Sequence, residues 1–357
     1  MPERFRAPGR VNLIGGQVDY HEGCVVSMAI DGHVTVDARP RTDGRIRAHS
    51  QQHTFDLEGP IDVAADGSDD ARAIEPEWGR GVAGVARALA DLGRAPVGAD
   101  LEVTSTLSVG AGLSSSAAFS VAVALALDHV ADLRLSRLDL ALAAQRAEHL
   151  ATGVPCGTQD PLSSVFGEAG HALLIDCRSL EIEPLPLPPD VRVLVVHSGV
   201  PRRLEATPYA QRRAESIAVG TRLGVRALRD ATLDQVRDEP RGRHAVTEME
   251  RVQKFGAALR AGDIDALGPL MLASHASSRD DMEVSTPELD TLVECLVDAG
   301  ALGARLTGAG FGGCVVALVP AARAEAIEAA ATTAYRERTE LEPTAWIVQA
   351  ARGAGPA

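Results

Sequence analysis

The sequence predicts an α+β protein of two domains, and three observations carry that reading. Stretches rich in Val and Ile at 24–39, 45–57 and 99–106 read as strands in the N-terminal third. An almost wholly apolar run, SAAFSVAVALALDHVADL, opens on serines 114–116 and reads as a helix buried on most sides. A Pro-rich stretch, PLPLPPD at 184–190, marks a seam before a buried strand, VRVLVVHS. The expected domains are therefore residues 1–183 and 190–357, joined near 180–190.

Each further element has its own signal. Residues 24–39 show partial alternation, with a turn expected at Asp31-Gly32. The acidic, Gly- and Ala-rich stretch 64–71 reads as an exposed loop. Val82, Val85, Leu89 and Leu92 recur at helical spacing within 78–92. A helix over 136–151 stops at Gly153, the residue type that most easily takes the left-handed C-terminal conformation. Helices are expected near 208–224, 246–261, 286–299 and 321–337, with strands at CVVALVP and near 344–350. There is no internal repeat.

Composition removes several function classes. Of 35 basic residues only Lys254 is a lysine, against 49 acidic residues and a net charge of −14. A Walker-type phosphate loop needs a Gly-Lys pair, and none exists. Lys254, in Arg-Val-Gln-Lys-Phe, lacks the surroundings of a Schiff-base lysine. The acidic balance argues against nucleic acid or an anionic membrane as partner. The five cysteines are scattered without C-x-x-C spacing, which suits reduced thiols in a cytoplasmic protein. No apolar run has the length of a membrane helix, and the first residues, MPERFR, lack the apolar core of a signal peptide.

Three glycine-rich stretches remain to be explained. Residues 6–20, RAPGRVNLIGGQVDY, pack Arg10, Asn12, Asp19 and Tyr20 into a short segment, which reads as a polar turn or as a ligand-facing loop. Residues 109–118, VGAGLSSSAA, place glycines and three serines before a buried helix. Free N–H groups and the helix dipole there attract an anion, and a serine hydroxyl could ligate Mg²⁺. An ordinary serine N-cap explains one of these serines but not all three. Residues 306–314, LTGAGFGGC, contain Gly308, Gly310, Gly312 and Gly313. They lead into a strand rather than a helix, so a tight loop packed against the other domain fits better than a dinucleotide site. Two carboxylates stand out: Glu148, late on its helix, and Asp160, which precedes Pro161 and fits a helix N-cap as well as a pocket residue.

Taken together, in this order, the three stretches resemble the GHMP small-molecule kinases, specifically the galactokinase branch. APGRVNLIG at 7–15 is similar to the galactokinase signature, GLSSSAA at 112–118 to the phosphate loop, and GAGFGGC at 308–314 to the third motif. AEH at 147–149, VPCG–D at 154–160, HALLIDCRSLE at 171–181 and SHASSRDDMEVSTPELD at 274–290 extend the resemblance over nearly the whole chain.

The resemblance implies a ribosomal S5 domain 2-like N-terminal domain, a ferredoxin-like C-terminal domain and an active site in the cleft between them. It implies an ATP- and Mg²⁺-dependent sugar 1-kinase; the residues leave the oligomeric state open, with a monomer favoured by the look of the relatives. Asp160 matches the catalytic carboxylate and Arg10 the arginine beside it. Ser116 and Glu148 match the Mg²⁺ ligands; Gly110, Gly112, Ser114 and Ser115 match the phosphate loop; and Trp78 resembles a tryptophan on the adenine side. Asp19, Gly157 and Tyr209 match sugar contacts.

The chain departs from the branch at Gly16 and Gln17, where galactokinases usually carry Glu-His around the sugar C6 hydroxyl, and at Pro161, where they usually carry glutamine. Arabinokinases of the superfamily are similar at Gly15-Gly16, and L-arabinopyranose is galactose without its C6 group. A pocket opened by Gly16 would equally admit a substituted galactose, so the departures bear on the choice of sugar: galactose, L-arabinose or another galactose-like sugar. A catalytically silent sensor of sugar and ATP is the non-enzyme alternative; the complete Ser115-Ser116-Ala117-Ala118 segment favours catalysis.

Overall fold

A computed structural model of the chain describes residues 3–50, 59–107, 112–154, 156–200 and 208–357. The first element, β1 (Glu3–Ile14), is a twelve-residue strand and not a polar turn. From Ala7 to Ile14 it is buried on both faces, so the sequence shows no alternation. It pairs antiparallel with β2 (Cys24–Arg41), which is continuous through the expected turn at Asp31-Gly32. The register shifts between Pro8 and Arg10, so residues 30–32 form a bulge in place of a turn. There the Asp31 N–H donates to the Gln349 carbonyl and Ile30 bridges Ala350, which ties the C-terminal chain to the bulge.

The remaining elements of this layer are β3 (Arg45–Ser50), β4 (Ile61–Ala64), α1 (Gly79–Asp91), β5 (Gly98–Ser105), α2 (Ser115–Val130), α3 (Arg137–Thr152), α4 (Gln159–Phe166), β6 (His171–Asp176) and β7 (Ile182–Pro186). Residues 51–57 of the third expected strand lie outside the described residues. With β12 (Gly355–Pro356) the strands form an eight-stranded sheet. Its main path is β12-β1-β2-β5-β3-β4, and β6 and β7 extend from β2. Among the described residues only the β3–β5 pairing is parallel. The α2 helix lies on β1 and β2 with α1 and α3 beside it, and Ala117 to Leu127 supply ten of its buried residues with only Leu125 partly exposed. Gly153 caps α3 in the left-handed conformation, as its position predicts.

The second layer comprises β8 (Val191–His197), α5 (Pro208–Leu223), α6 (Pro240–Ala261), α7 (Ile264–Asp280), α8 (Pro287–Asp298), β9 (Gly303–Thr307), β10 (Cys314–Pro320), α9 (Ala324–Thr339) and β11 (Thr344–Val348). Its four-stranded antiparallel sheet runs β11-β8-β10-β9. The Pro-rich seam is split, since β7 belongs to the first sheet and β8 to the second. The sequence reading did not include α7, which carries Pro269 inside it. Among the described residues no helix is long and apolar enough to cross a membrane. The five cysteines are free thiols.

The α7 helix reaches β9 because Gly268 lies against the Leu302 backbone. A Cβ at 268 would overlap the Leu302 carbonyl oxygen, and a Cβ at 303 would come within 2.5 Å of the Gly268 backbone. Gly268→Ala should therefore cost about 1–3 kcal/mol and lower the thermal midpoint by several degrees. A midpoint equal to that of the native protein would show that α7 and β9 can separate freely.

Candidate active site

The site forms where β1, the start of α2 and the first turn of α4 converge. Arg10 points from β1 and is 6% exposed. Its Nε and Nη2 donate to the two oxygens of Asp160, each at 2.7 Å, which is the strong bidentate geometry of an arginine–carboxylate pair. Its Nη1 donates to the Gly112 carbonyl at 2.8 Å, and its backbone N–H to the Leu113 carbonyl. Ser114, in the left-handed conformation just before α2, donates a short hydrogen bond to Asp160 Oδ2. The Asp160 carboxylate is about one-third exposed, so it is held but still reachable.

Asp160 is not an N-cap. Thr158 occupies that position, Asp160 is the second residue of α4 and Pro161 the third. Its carboxylate turns outward to Arg10 and Ser114 instead of back to the backbone, because a fixed guanidinium outcompetes an amide for the negative charge.

At the other side of the α2 start, Ser116 Oγ donates to Glu148 Oε1 at 2.8 Å, and Cys156 Sγ lies 3.4 Å from Oε2. Burial and the nearby Asp160 charge raise the Glu148 pKa. Ser115 begins α2, and Gly110 lies outside the described residues. Trp78 precedes α1 and meets Phe119 of α2 edge-on at 6.2 Å; its indole Nε1 is buried without a hydrogen-bond partner among the described residues.

Asp19 stands against Gly157 so closely that a Cβ there would overlap its carboxylate. Burial first, then Asp160, raises its pKa. Tyr209, on the first turn of α5, and Arg213 line a cavity of about 410 Å³ together with Val154 and Ile217. Arg213 also stacks on Tyr20 at 5.1 Å. A cavity of about 420 Å³ lined by Arg72, Arg87, Arg146 and His149 contains none of the sequence-predicted site residues.

Gly308, Gly310 and Gly312 all take positive φ, and the loop packs against Val284, whose carbonyl accepts from the Phe311 N–H. Gln17 Nε2 reaches the Gly308 and Ala309 carbonyls at 3.5 and 3.4 Å, while its Oε1 accepts from Tyr20. The third motif therefore closes on the first.

Gly16 does not open a void. A Cβ there would collide with Arg305 Nη2, so a glutamate at 16 would have to displace that guanidinium. Arg305, 1% exposed, donates to Asn12 Oδ1 at 2.8 Å and stands 3.9 Å from Glu248, itself wholly buried. Glu248 Oε1 accepts from the Gly15 and Gly16 N–H groups and from Ser274, and Oε2 from Arg251. Sequence reasoning missed Arg305 and Glu248. A charged residue inside the apolar strand GARLT was the available signal for the first; Glu248 had none.

Residues 2–40 match the galactokinase galactose-binding signature, 80–168 the GHMP kinases N-terminal domain and 257–337 the GHMP kinases C-terminal model. A galactokinase from Roseiflexus sp. (strain RS-1) is 44% identical over 98% of this chain and 92% of its own length. The chain belongs to the galactokinase family of GHMP kinases. A galactokinase from Chloroflexus aurantiacus is 43% identical over 95% of this chain and 90% of its own. Among solved structures, Lactococcus lactis galactokinase complexed with galactose superposes with a TM-score of 0.93 at 32% identity, covering 100% of this chain and 95% of that one. Methanococcus jannaschii mevalonate kinase, at 18% identity and a TM-score of 0.72 over 99% of both chains, shares the fold. The predicted architecture is thus the GHMP kinase fold.

The buried Glu248 makes a pH prediction. Burial alone would raise its pKa, but Arg305, His244, Arg251 and the Ser274 hydroxyl outweigh it and bring it to about 2, below the ordinary 4.5. A depressed carboxylate stabilises the fold above about pH 4.5 and loses that contribution as pH falls toward 2. Glu248→Gln leaves Arg305 uncompensated and should lower the thermal midpoint at pH 7. The gap to the native protein should narrow on acidification, as protonation makes native Glu248 resemble the variant. A gap of constant size from pH 7 to 3 would contradict the assignment.

Proposed function

We propose that the protein transfers the γ-phosphoryl group of ATP to the C1 hydroxyl of D-galactose, yielding galactose 1-phosphate and ADP. The observation that carries this reading is Asp160, held by both arms of Arg10 and by Ser114 at the start of α2. Asp160 accepts the sugar hydroxyl proton in this scheme. Arg10 holds the carboxylate by two parallel hydrogen bonds and adds positive charge where the phosphoryl group passes. Gly110, Gly112, Ser114, Ser115 and the α2 N-terminus receive the phosphates, which needs no lysine. Trp78 takes the adenine side, and its unpartnered Nε1 is a donor in reserve. Asp19, Gly157, Tyr209 and the Gly16-Gln17 turn form the sugar side.

Galactose is favoured by the matched signature and by the names of the relatives over nearly their whole length. L-arabinose is the second reading, carried by the absence of a carboxylate at position 16. Ser116 and Glu148 fit Mg²⁺: both offer hard oxygens, and this ion takes one or two protein oxygens with substrate phosphates completing its shell. The raised pKa of Glu148 means that a cation beside it would stabilise its charged form. When bound, the metal supplies neutralisation of phosphate charge.

ADP release measured against D-galactose, L-arabinose, N-acetylgalactosamine, homoserine and mevalonate tests the substrate, with D-galactose expected to give the highest kcat/KM. Preference for any other compound would overturn that choice. Asp160→Asn should lower kcat by about 10²–10⁴-fold while the fold persists. A variant with normal kcat would remove Asp160 from the proton transfer. Glu148→Gln should raise the Mg²⁺ concentration for half-maximal rate, and an unchanged Mg²⁺ titration would remove it from the metal site.

A further inference from the structure

The buried pair Arg305–Glu248 is not used by the scheme above, yet a chain of side chains leads from it to the carboxylate. Arg305 Nη1 donates to Asn12 Oδ1 at 2.8 Å. Asn12 Nδ2 donates to Gln159 Oε1 at 2.7 Å. Gln159 Nε2 in turn reaches Asp160 Oδ1 at 3.5 Å. Arg305, Asn12 and Gln159 are 1%, 4% and 7% exposed, so no water competes freely for these groups.

An amide side chain has a donor end and an acceptor end of nearly the same shape, so its neighbours decide which way it faces. A guanidinium can only donate, and it stays protonated even when buried. Arg305 therefore obliges Asn12 to present its oxygen and to turn its nitrogen toward Gln159. Gln159 must then present its own oxygen to Asn12, which leaves its nitrogen toward Asp160. Glu248 holds the guanidinium from behind.

From this geometry we propose that Arg305 is a positioning residue which sets the direction of the Asn12–Gln159 relay, so that Asp160 is met by a hydrogen-bond donor rather than by a carbonyl oxygen. A reversed relay would place the Gln159 oxygen against the carboxylate, and repulsion would turn Asp160 away from its aligned position between Arg10 and Ser114. The proposal rests on Asp160 being the reacting carboxylate for its kinetic consequence, but not for the direction of the relay itself.

Asn12→Asp separates the relay from mere packing. The introduced carboxylate accepts from Arg305 as the Asn12 amide does and strengthens that contact by its charge. It has no N–H for Gln159, however, which must flip. Neutron diffraction from deuterated crystals of the native protein and of this variant reads which end of Gln159 faces Asp160. The nitrogen is expected in the native protein and the oxygen in Asn12→Asp. The variant is also expected to lose about 10–30-fold in kcat, with KM for galactose within about threefold and no fall in thermal midpoint. Arg305→Lys, which keeps a donor-only head, should retain most of the native kcat, whereas Arg305→Met should lose as much as Asn12→Asp.

An unflipped Gln159 in Asn12→Asp, or equal losses in the Lys and Met variants, would overturn the proposal. Should the native enzyme fail to turn over galactose, it is the substrate assignment that fails. The neutron maps then still decide the relay.

Discussion

The bidentate pairing of Arg10 with Asp160 is the contact on which the site depends. It joins the second half of β1 to the first turn of α4 across 150 residues of sequence, at 2.7 Å on both arms. The third arm of Arg10 ties the same point to Gly112 at the entrance of α2. One planar, permanently charged side chain thereby fixes a carboxylate and the start of α2 relative to each other. A lysine could not do this, because a point charge holds no bidentate angle. A chain with 34 arginines and one lysine can build such a site without a Walker loop.

Behind that contact lies a second, fully buried layer. Glu248 reaches up from α6 to the Gly15 and Gly16 amides, and Arg305 reaches across from β9 to Asn12. Both come from the second layer of the fold, and both act on β1 or the turn that follows it. The layer of the eight-stranded sheet thus presents the Arg10–Asp160 pair while the layer of the four-stranded sheet sets its backing. A Cβ at Gly16 would meet the end of the Arg305 guanidinium, so the turn after β1 and Arg305 share one space.

Much of this was legible in the sequence, for physical reasons that can be named. The α2 helix and the Gly153 cap are local patterns, and they appear where expected. β1 was not legible as a strand because residues 7–14 are buried on both faces, which removes the alternation that marks a half-buried strand. The Asp31-Gly32 pair looked like a turn but is a bulge, since the C-terminal chain supplies pairing there that no local window contains. α7 was hidden by Pro269 and by serines that face the interior. Asp160 next to Pro161 imitated an N-cap because the competing partner, Arg10, lies far away in sequence. Arg305 and Glu248 sit on separate elements with no spacing relation, so only the folded chain brings them together.

The account turns on phosphoryl transfer to the anomeric hydroxyl of galactose at a carboxylate held by Arg10. ³¹P NMR of the protein with ATP, Mg²⁺ and D-galactose observes the product directly. The account predicts a growing phosphomonoester signal coupled to the sugar H1 proton, matched by loss of the ATP γ signal. A phosphoester on any other carbon, or ATP consumption that yields only inorganic phosphate, would contradict it.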